Sequence, residues 1–270
     1  MSKQEKTILD EIIDYKRKEV VSCKELFAVK ELEKATFFNR STLSLKESVL
    51  NPYKTGIITE FKRKSPSKGM INSRSFVDDV TQGYASAGAS GLSILTDFNF
   101  FGGSIDDLMI ARQTNQIPIL RKEFIIDEYQ VIEAKAYGAD AILLIAAILS
   151  SNEIKNLYRA AKNLDLEVLL EIHDEDELEK VNGNADLIGI NNRNLKTFEV
   201  DLERSKRLVK QLPSGMPKIA ESGISKPETI IDLKNNGFDG FLIGENFMKT
   251  NNPGRAFNEF INQLHGVKSR

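Results

Sequence analysis

The chain has 270 residues, 41% hydrophobic and 28% charged, with a formal net charge of −2 and one cysteine, Cys23. That length suits one large α/β domain, since barrels of eight β/α units run to about 250 residues. The near-neutral balance argues against an obligate nucleic-acid partner, and the lone cysteine rules out an internal disulfide framework.

The N-terminus starts polar over 2–6, with no apolar signal core. The longest apolar run, 141–149, falls short of the roughly 20 residues that span a bilayer. A cytoplasmic protein is expected. Ile8, Ile12, Ile13 and Val20 recur at helical spacing among Asp, Glu and Lys, so the first fifty residues read as helix without strands. A second short helical stretch covers 43–50 and stops at Asn51-Pro52.

From Gly56 the pattern changes. Short apolar segments at 57–61, 92–95, 117–120, 141–145, 166–170, 187–190, 218–220 and 240–243 alternate with longer polar stretches. The stretches 77–87, 128–137, 153–163, 202–212 and 227–235 have helical periodicity. Gly88, Gly138 and Gly237 end helices with the left-handed turn that returns the chain to a sheet. Eight near-continuous apolar strands, each leading to a helix, predict a parallel sheet buried on both faces and closed as a (β/α)8 TIM barrel. Residues 1–270 are read as one domain, with 1–50 a helical extension packed on the barrel. An open doubly wound sheet would want a Gly-x-Gly-x-x-Gly turn after the first strand, and 62–69 offers none.

Active sites of such barrels sit at the C-terminal strand ends. Strand one ends with Glu60 and Lys62, two apart and so on one face; strand two ends at Thr96-Asp97 and strand three at Arg121-Lys122-Glu123. Strand five ends Glu171-Ile172-His173, strand six Asn191-Asn192-Arg193, strand seven Glu221-Ser222-Gly223 and strand eight Gly244-Glu245-Asn246. Strand four, running into Ala146-Ala147, adds nothing polar. A single charged residue past a strand is ordinarily solvated surface. Three carboxylates (Glu60, Glu171, Glu221) converging with three cations (Lys62, Lys122, Arg193) would cost stability without pairing, so the ring points to catalysis. In the last two loops, Gly223 and Gly244 stand where backbone N–H groups approach an anion, and a short helix after Gly244 would aim its positive end there. A phosphorylated small-molecule substrate is expected.

At these residues the chain resembles indole-3-glycerol-phosphate synthase. The motifs are Glu-Phe-Lys-Arg-Lys-Ser-Pro-Ser-Lys-Gly (60–69), Leu-Arg-Lys-Glu-Phe-Ile (120–125), Leu-Glu-Ile-His-Asp (170–174), Gly-Ile-Asn-Asn-Arg-Asn-Leu (189–195), Ala-Glu-Ser-Gly-Ile (220–224) and Leu-Ile-Gly-Glu (242–245). They follow the family order and span the barrel. Phe61, Lys64, Glu123 and Asn246-Phe247 depart from the pattern.

The resemblance implies ring closure, decarboxylation and dehydration of 1-(2-carboxyphenylamino)-1-deoxyribulose 5-phosphate, a lyase step of tryptophan biosynthesis. It implies Lys122 as general acid of ring closure and Glu171 as acid/base partner in dehydration. Glu60 assists or holds hydroxyls, and Lys62 contacts an anion and orients Glu60. Asn191 and Glu221 steer the ribulose hydroxyls or the ring, and Arg193 and Ser65 meet the anthranilate carboxylate. Ser222, Gly223, Gly244 and Glu245, the last through its backbone N–H, bind phosphate. The 63–69 loop is read as a lid. His173, one position beyond the expected catalytic residues, is read as a histidine behind them or at the surface, and His265 as incidental. Neither has partners at metal-ligand spacing and no cofactor motif is present, so neither metal nor cofactor is expected, nor an obligate protein partner. Rival readings are a phosphoribosylanthranilate isomerase, a Schiff-base aldolase using Lys122, and a catalytically silent sugar-phosphate-binding barrel.

Overall fold

A computed structural model describes residues 6–194 and 197–268. Eight parallel strands close into a barrel: β1 (Ile57–Phe61), β2 (Gly91–Leu95), β3 (Ile119–Lys122), β4 (Ala141–Ile145), β5 (Glu167–Ile172), β6 (Leu187–Asn191), β7 (Lys218–Glu221) and β8 (Gly240–Ile243). Each strand pairs with its sequence neighbours, and Ile57 opposite Phe241 closes the ring. Helices flank the strands outside, so the expected TIM barrel is what the chain forms.

Alternate strands are pinned by one device. Ser90, just before β2, accepts through its hydroxyl the Gly56 N–H at 2.9 Å. Asp140, before β4, accepts the Ile119 N–H at 2.8 Å; Asp186, before β6, accepts the Val168 N–H at 2.9 Å; Asp239, before β8, accepts the Lys218 N–H at 2.8 Å. Each even-numbered strand thereby fixes the start of the one before it. A buried amide left unpaired would be costly, so the register is specified where the apolar pattern alone would tolerate slippage.

Inside the barrel, Ile58, Leu120, Leu143, Leu169, Leu187, Ile219 and Leu242 form one apolar cluster. Leu45 and Val49, from the helix Leu45–Leu50, join it and seal the end where the strands begin. Gly240 permits that approach, because a Cβ there would lie 2.6 Å from Val49 Cγ1. A second, larger cluster fills the layer between strands and outer helices.

The N-terminal helix α1 (Ile8–Leu26) begins with a reciprocal cap between Thr7 and Asp10. Its buried positions Ile12, Lys16 and Val20 recur every four residues, which puts them on one stripe facing the barrel. The Lys16 ammonium is buried against Asp97 and Glu123, at 3.0 Å each, and Glu19, at 2.8 Å.

Several expectations are corrected. β3 starts at Ile119, two residues later than read, because Pro118 has no N–H to give the ladder, and the first residue paired with β2 is Ile119, opposite Leu92. β5 runs on to Ile172, within the strand-five ending read from the sequence, with Glu171 paired opposite Gly189 and Ile172 opposite Ile190. No α-helix follows β5; the segment Glu175–Lys180 winds as a 3-10 helix. The 202–212 stretch is α-helical only over Leu202–Leu208, then tightens into Val209–Gln211. The loop after β1, read as a lid, has contacts of its own in this conformation: Lys64–Ser65 pairs with Gly69–Met70 as a small hairpin, Arg63 forms an ion pair with Asp107, and Lys64 Nζ donates to the Asn99 carbonyl at 2.7 Å. Residues 2–5 of the N-terminal reading, and Leu195 of the strand-six motif, lie outside the described residues.

Candidate active site

At the C-terminal mouth of the barrel lies a cavity of about 350 Å³. Glu60, Lys62, Ser65, Lys122, Glu171, Asn191, Arg193, Glu221, Ser222, Gly223, Gly244 and Glu245 all line it. The strands converge there because every inward-facing residue at a strand's last turn points at the barrel axis.

Lys122 occupies the centre of the charged group. Its Nζ lies 2.9 Å from Glu171 Oε2 and 2.5 Å from Glu221 Oε2, contributed by three different strands. Burial alone would push this ammonium toward its neutral form, but the carboxylates of Glu171, Glu221 and Glu60 reverse the effect and hold its pKa above the ordinary lysine value. Lys122 does not pair with Glu123, which turns to Lys16. The two glutamates diverge. Burial raises the Glu221 carboxyl to about 8, helped by the negative charge of Glu171. Burial also raises Glu171, but Lys122 and His173 outweigh it and keep that carboxyl well below its ordinary range. Two carboxyls in one site with their proton affinities driven apart are suited to opposite roles, one as base and one as proton carrier.

Glu60 and Lys62 form the second charged pair, with Oε1 and Nζ 2.7 Å apart. Glu60 is pressed against Gly244, where a Cβ would come within 2.8 Å of Glu60 Cβ. Gly244 therefore gives room to a carboxylate as well as an opening to its own loop. Gly189 does the same for Glu221, since a Cβ there would collide with Glu221 Oε1. Asn191 Nδ2 donates to Glu171 Oε1 at 3.4 Å, and its Oδ1 accepts the Arg193 N–H at 3.0 Å.

Ser222 and Gly223 both take positive φ, +68° and +73°, which turns the chain sharply after β7. For a serine this is a strained conformation of the kind that collects at ligand-binding loops. Asn192 Nδ2 steadies the turn by donating to the Ser222 carbonyl at 2.7 Å. Beside it, Gly244 caps the four-residue helix Glu245–Met248, whose first amides have no partner within the helix. The Arg193 guanidinium lies 3.3 Å from the Glu245 carboxylate and donates to the Phe198 carbonyl at 3.3 Å, so the strand-six and strand-eight loops are tied together.

The opposite wall is apolar. Ile8, Leu9 and Ile12 of α1, Phe101, Phe124 and the strand-four residues Leu143 and Ile145 line it. None was named as a site residue from sequence. The helical spacing of Ile8 and Ile12 announced a buried face, but nothing in the sequence said that this face would cover the mouth. Ser65 is buried, and its hydroxyl has no hydrogen-bond partner among the described residues. Of the two readings of His173, the structure has it behind the catalytic residues and not at the surface. It is 4% exposed, with Nε2 3.2 Å from Glu171 Oε1.

Residues 9–260 match the family model for indole-3-glycerol phosphate synthase. The chain belongs to the indole-3-glycerol phosphate synthase family. It is 48% identical over 259 residues to the indole-3-glycerol phosphate synthase of Bacteroides thetaiotaomicron, covering 96% of this chain and 99% of that protein. It is 42% identical to the one from Polaromonas naphthalenivorans, with 95% and 99% covered. Among solved structures, the tryptophan synthase alpha subunit of Legionella pneumophila superposes with a TM-score of 0.61 at 14% identity, covering 84% of this chain and 99% of that one. The thiamine phosphate pyrophosphorylase of Pyrococcus furiosus gives 0.59 at 15% identity, covering 83% and 99%. These last two share the barrel fold. No helix among the described residues is long and apolar enough to cross a membrane.

Proposed function

We propose that this member of the indole-3-glycerol phosphate synthase family converts 1-(2-carboxyphenylamino)-1-deoxyribulose 5-phosphate to indole-3-glycerol phosphate, carbon dioxide and water, as a single-domain cytoplasmic enzyme of tryptophan biosynthesis. The observation that carries the residue assignment is Lys122 held between Glu171 and Glu221 on the floor of a half-apolar cavity.

Ring closure needs a proton on the ketone oxygen as the aromatic carbon attacks. Lys122 stays charged beside its carboxylates and is the group that delivers that proton. Glu171, held as an anion, takes up a proton as the ring system becomes aromatic after loss of carbon dioxide and water. Glu221, whose carboxyl burial pushes up to about 8, holds a hydroxyl of the sugar chain, with Asn191 beside it. Glu60, oriented by Lys62, meets a second hydroxyl or assists the departure of water, while Lys62 faces an anionic group. Arg193 and Ser65 receive the anthranilate carboxylate, and the apolar wall from α1, Phe101 and Phe124 receives the aromatic ring. The phosphate belongs in the cradle of Ser222, Gly223, Gly244 and the Glu245 N–H.

The aldolase alternative fits poorly, because a Schiff-base lysine attacks as a neutral amine and Lys122 is held charged by its neighbours. Supplying the carboxyphenylamino-deoxyribulose phosphate and following indole fluorescence tests the reaction. Fluorescence that never rises above the buffer rate would overturn it. A borohydride-stable adduct on Lys122 with a ketose phosphate would favour the aldolase.

A further inference from the structure

The chain has two histidines, and one of them is buried beside the reacting groups without a part in the chemistry above. His173 follows β5 by one residue. Its Nε2 lies 3.2 Å from Glu171 Oε1 and its Nδ1 3.5 Å from Glu177 Oε2, on the 3-10 helix that follows. Glu177 Oε2 also accepts the His173 backbone N–H at 2.7 Å, which fixes that carboxylate against the ring. A neutral imidazole has one N–H and one lone pair, so one of its ends would present a lone pair to a carboxylate. Neither ring nitrogen is in hydrogen-bond geometry with its carboxylate, so both are charge contacts, and only the imidazolium is attracted at both ends.

We infer that His173 is a positioning residue for the reaction: as an imidazolium clamped between Glu171 and Glu177, it keeps the Glu171 carboxylate ionised and aimed at the cavity. This rests on the proposed role of Glu171 as base. Burial opposes a charged ring, but the two carboxylates outweigh it and raise the imidazole to about 9. The other charged groups nearby are already engaged. Lys122 sits on the far side of Glu171, between it and Glu221. Arg204 is held by Asp174 at 3.3 Å and by the Asn191 carbonyl at 3.1 Å, and Lys180 donates to the carbonyls of Ala146 and Leu149. Glu177 is therefore the control on the charge of His173 that lies outside the cavity lining.

Three measurements on the full-length enzyme test this. NMR titration of the unmodified protein, with the His173 signal assigned by its loss in His173→Gln, is expected to show an imidazole titrating near pH 9; titration near the ordinary 6.5 overturns the inference. His173→Gln, which keeps a hydrogen-bonding side chain without the charge, is expected to lower kcat about tenfold or more because the Glu171 carboxylate is no longer held in its aim, with KM changed less than about threefold. Glu177→Gln leaves the ring in place but removes its outer carboxylate. Its kcat is expected to match the parent enzyme near pH 6 and to fall off at least one pH unit earlier on the alkaline side. Superimposable profiles for Glu177→Gln and the parent overturn the inference even if His173→Gln fails to fold. Glu171→Gln separates the two ideas: full activity in that variant removes the role of Glu171, whereas the NMR titration of His173 reports its charge regardless.

Discussion

Lys16, in the N-terminal helix, places its ammonium 3.0 Å from the Glu123 carboxylate at the end of the third strand. It is 1% exposed and also lies 3.0 Å from Asp97. Burial opposes its charge, but the two carboxylates raise its pKa above the ordinary value, so it is a fixed cation joining the extension to the barrel rim. One turn or two before it in the same helix, Ile8, Leu9 and Ile12 form part of the cavity wall. The ion pair thus holds a piece of the active site in place.

Lys16→Met removes the cation and leaves Asp97 and Glu123 buried without it. A loss of about 3–5 kcal/mol is expected, since the penalty is that of stranded buried charge. Urea denaturation measures it. Steady-state kinetics should show KM rising, because the apolar wall is no longer anchored. An unchanged KM in a destabilised but folded variant would mean that the wall does not meet the substrate.

Lys122→Ala is expected to lower kcat by roughly 10²-fold or more, the usual contribution of a positioned general acid. Indole fluorescence under saturating substrate reports it. A near-normal rate would take proton delivery away from this residue.

Glu221→Gln probes stability rather than rate. The folded-state pKa of Glu221, about 8, lies above its ordinary 4.5. A group raised in this way contributes fully below the unfolded value and loses that contribution as pH rises toward the folded one, so the parent protein loses stability between about pH 4.5 and 8. The glutamine variant lacks that loss. Its denaturation midpoint relative to the parent should therefore climb between pH 5 and pH 8, while its activity falls. A difference that stays flat across that window would show that Glu221 is not titrating there. Glu171, shifted the opposite way, loses its contribution only at more acid pH.

Gly189→Ala and Gly244→Ala place a methyl group against Glu221 and Glu60 respectively. Gly189→Ala should fold with a modest stability loss, since it obstructs a carboxylate oxygen, whereas Gly244→Ala also presses on the Glu60 Cβ, fixed to its strand, and should cost more. Each is expected to lower kcat/KM about tenfold or more, because displacing a reacting group by even 1 Å is costly. Far-UV circular dichroism with kinetics separates the two effects.

Much of this was legible before any coordinates. The apolar segments between Gly-bearing turns announced eight strands, because a parallel strand buried on both faces must be apolar nearly throughout. The same logic put Glu60, Lys122, Glu171, Asn191 and Glu221 in one ring, since a polar residue ending a buried strand has one outlet. The strand limits were less legible: the third strand reads from Ile117, although Pro118 delays its pairing to Ile119.

The linear pattern by itself determined the barrel, the family and the set of charged residues at its mouth, because these follow from local periodicity and from motifs within short segments. Only the tertiary structure decided which charge meets which. Glu123 stands next to Lys122 in the chain yet pairs with Lys16 more than a hundred residues away, and His173 reaches both Glu171 and Glu177. Adjacent residues in a strand face opposite sides, so sequence neighbours part company while distant side chains converge. Proton affinities depend on that convergence through burial and on charge at distances of a few ångströms.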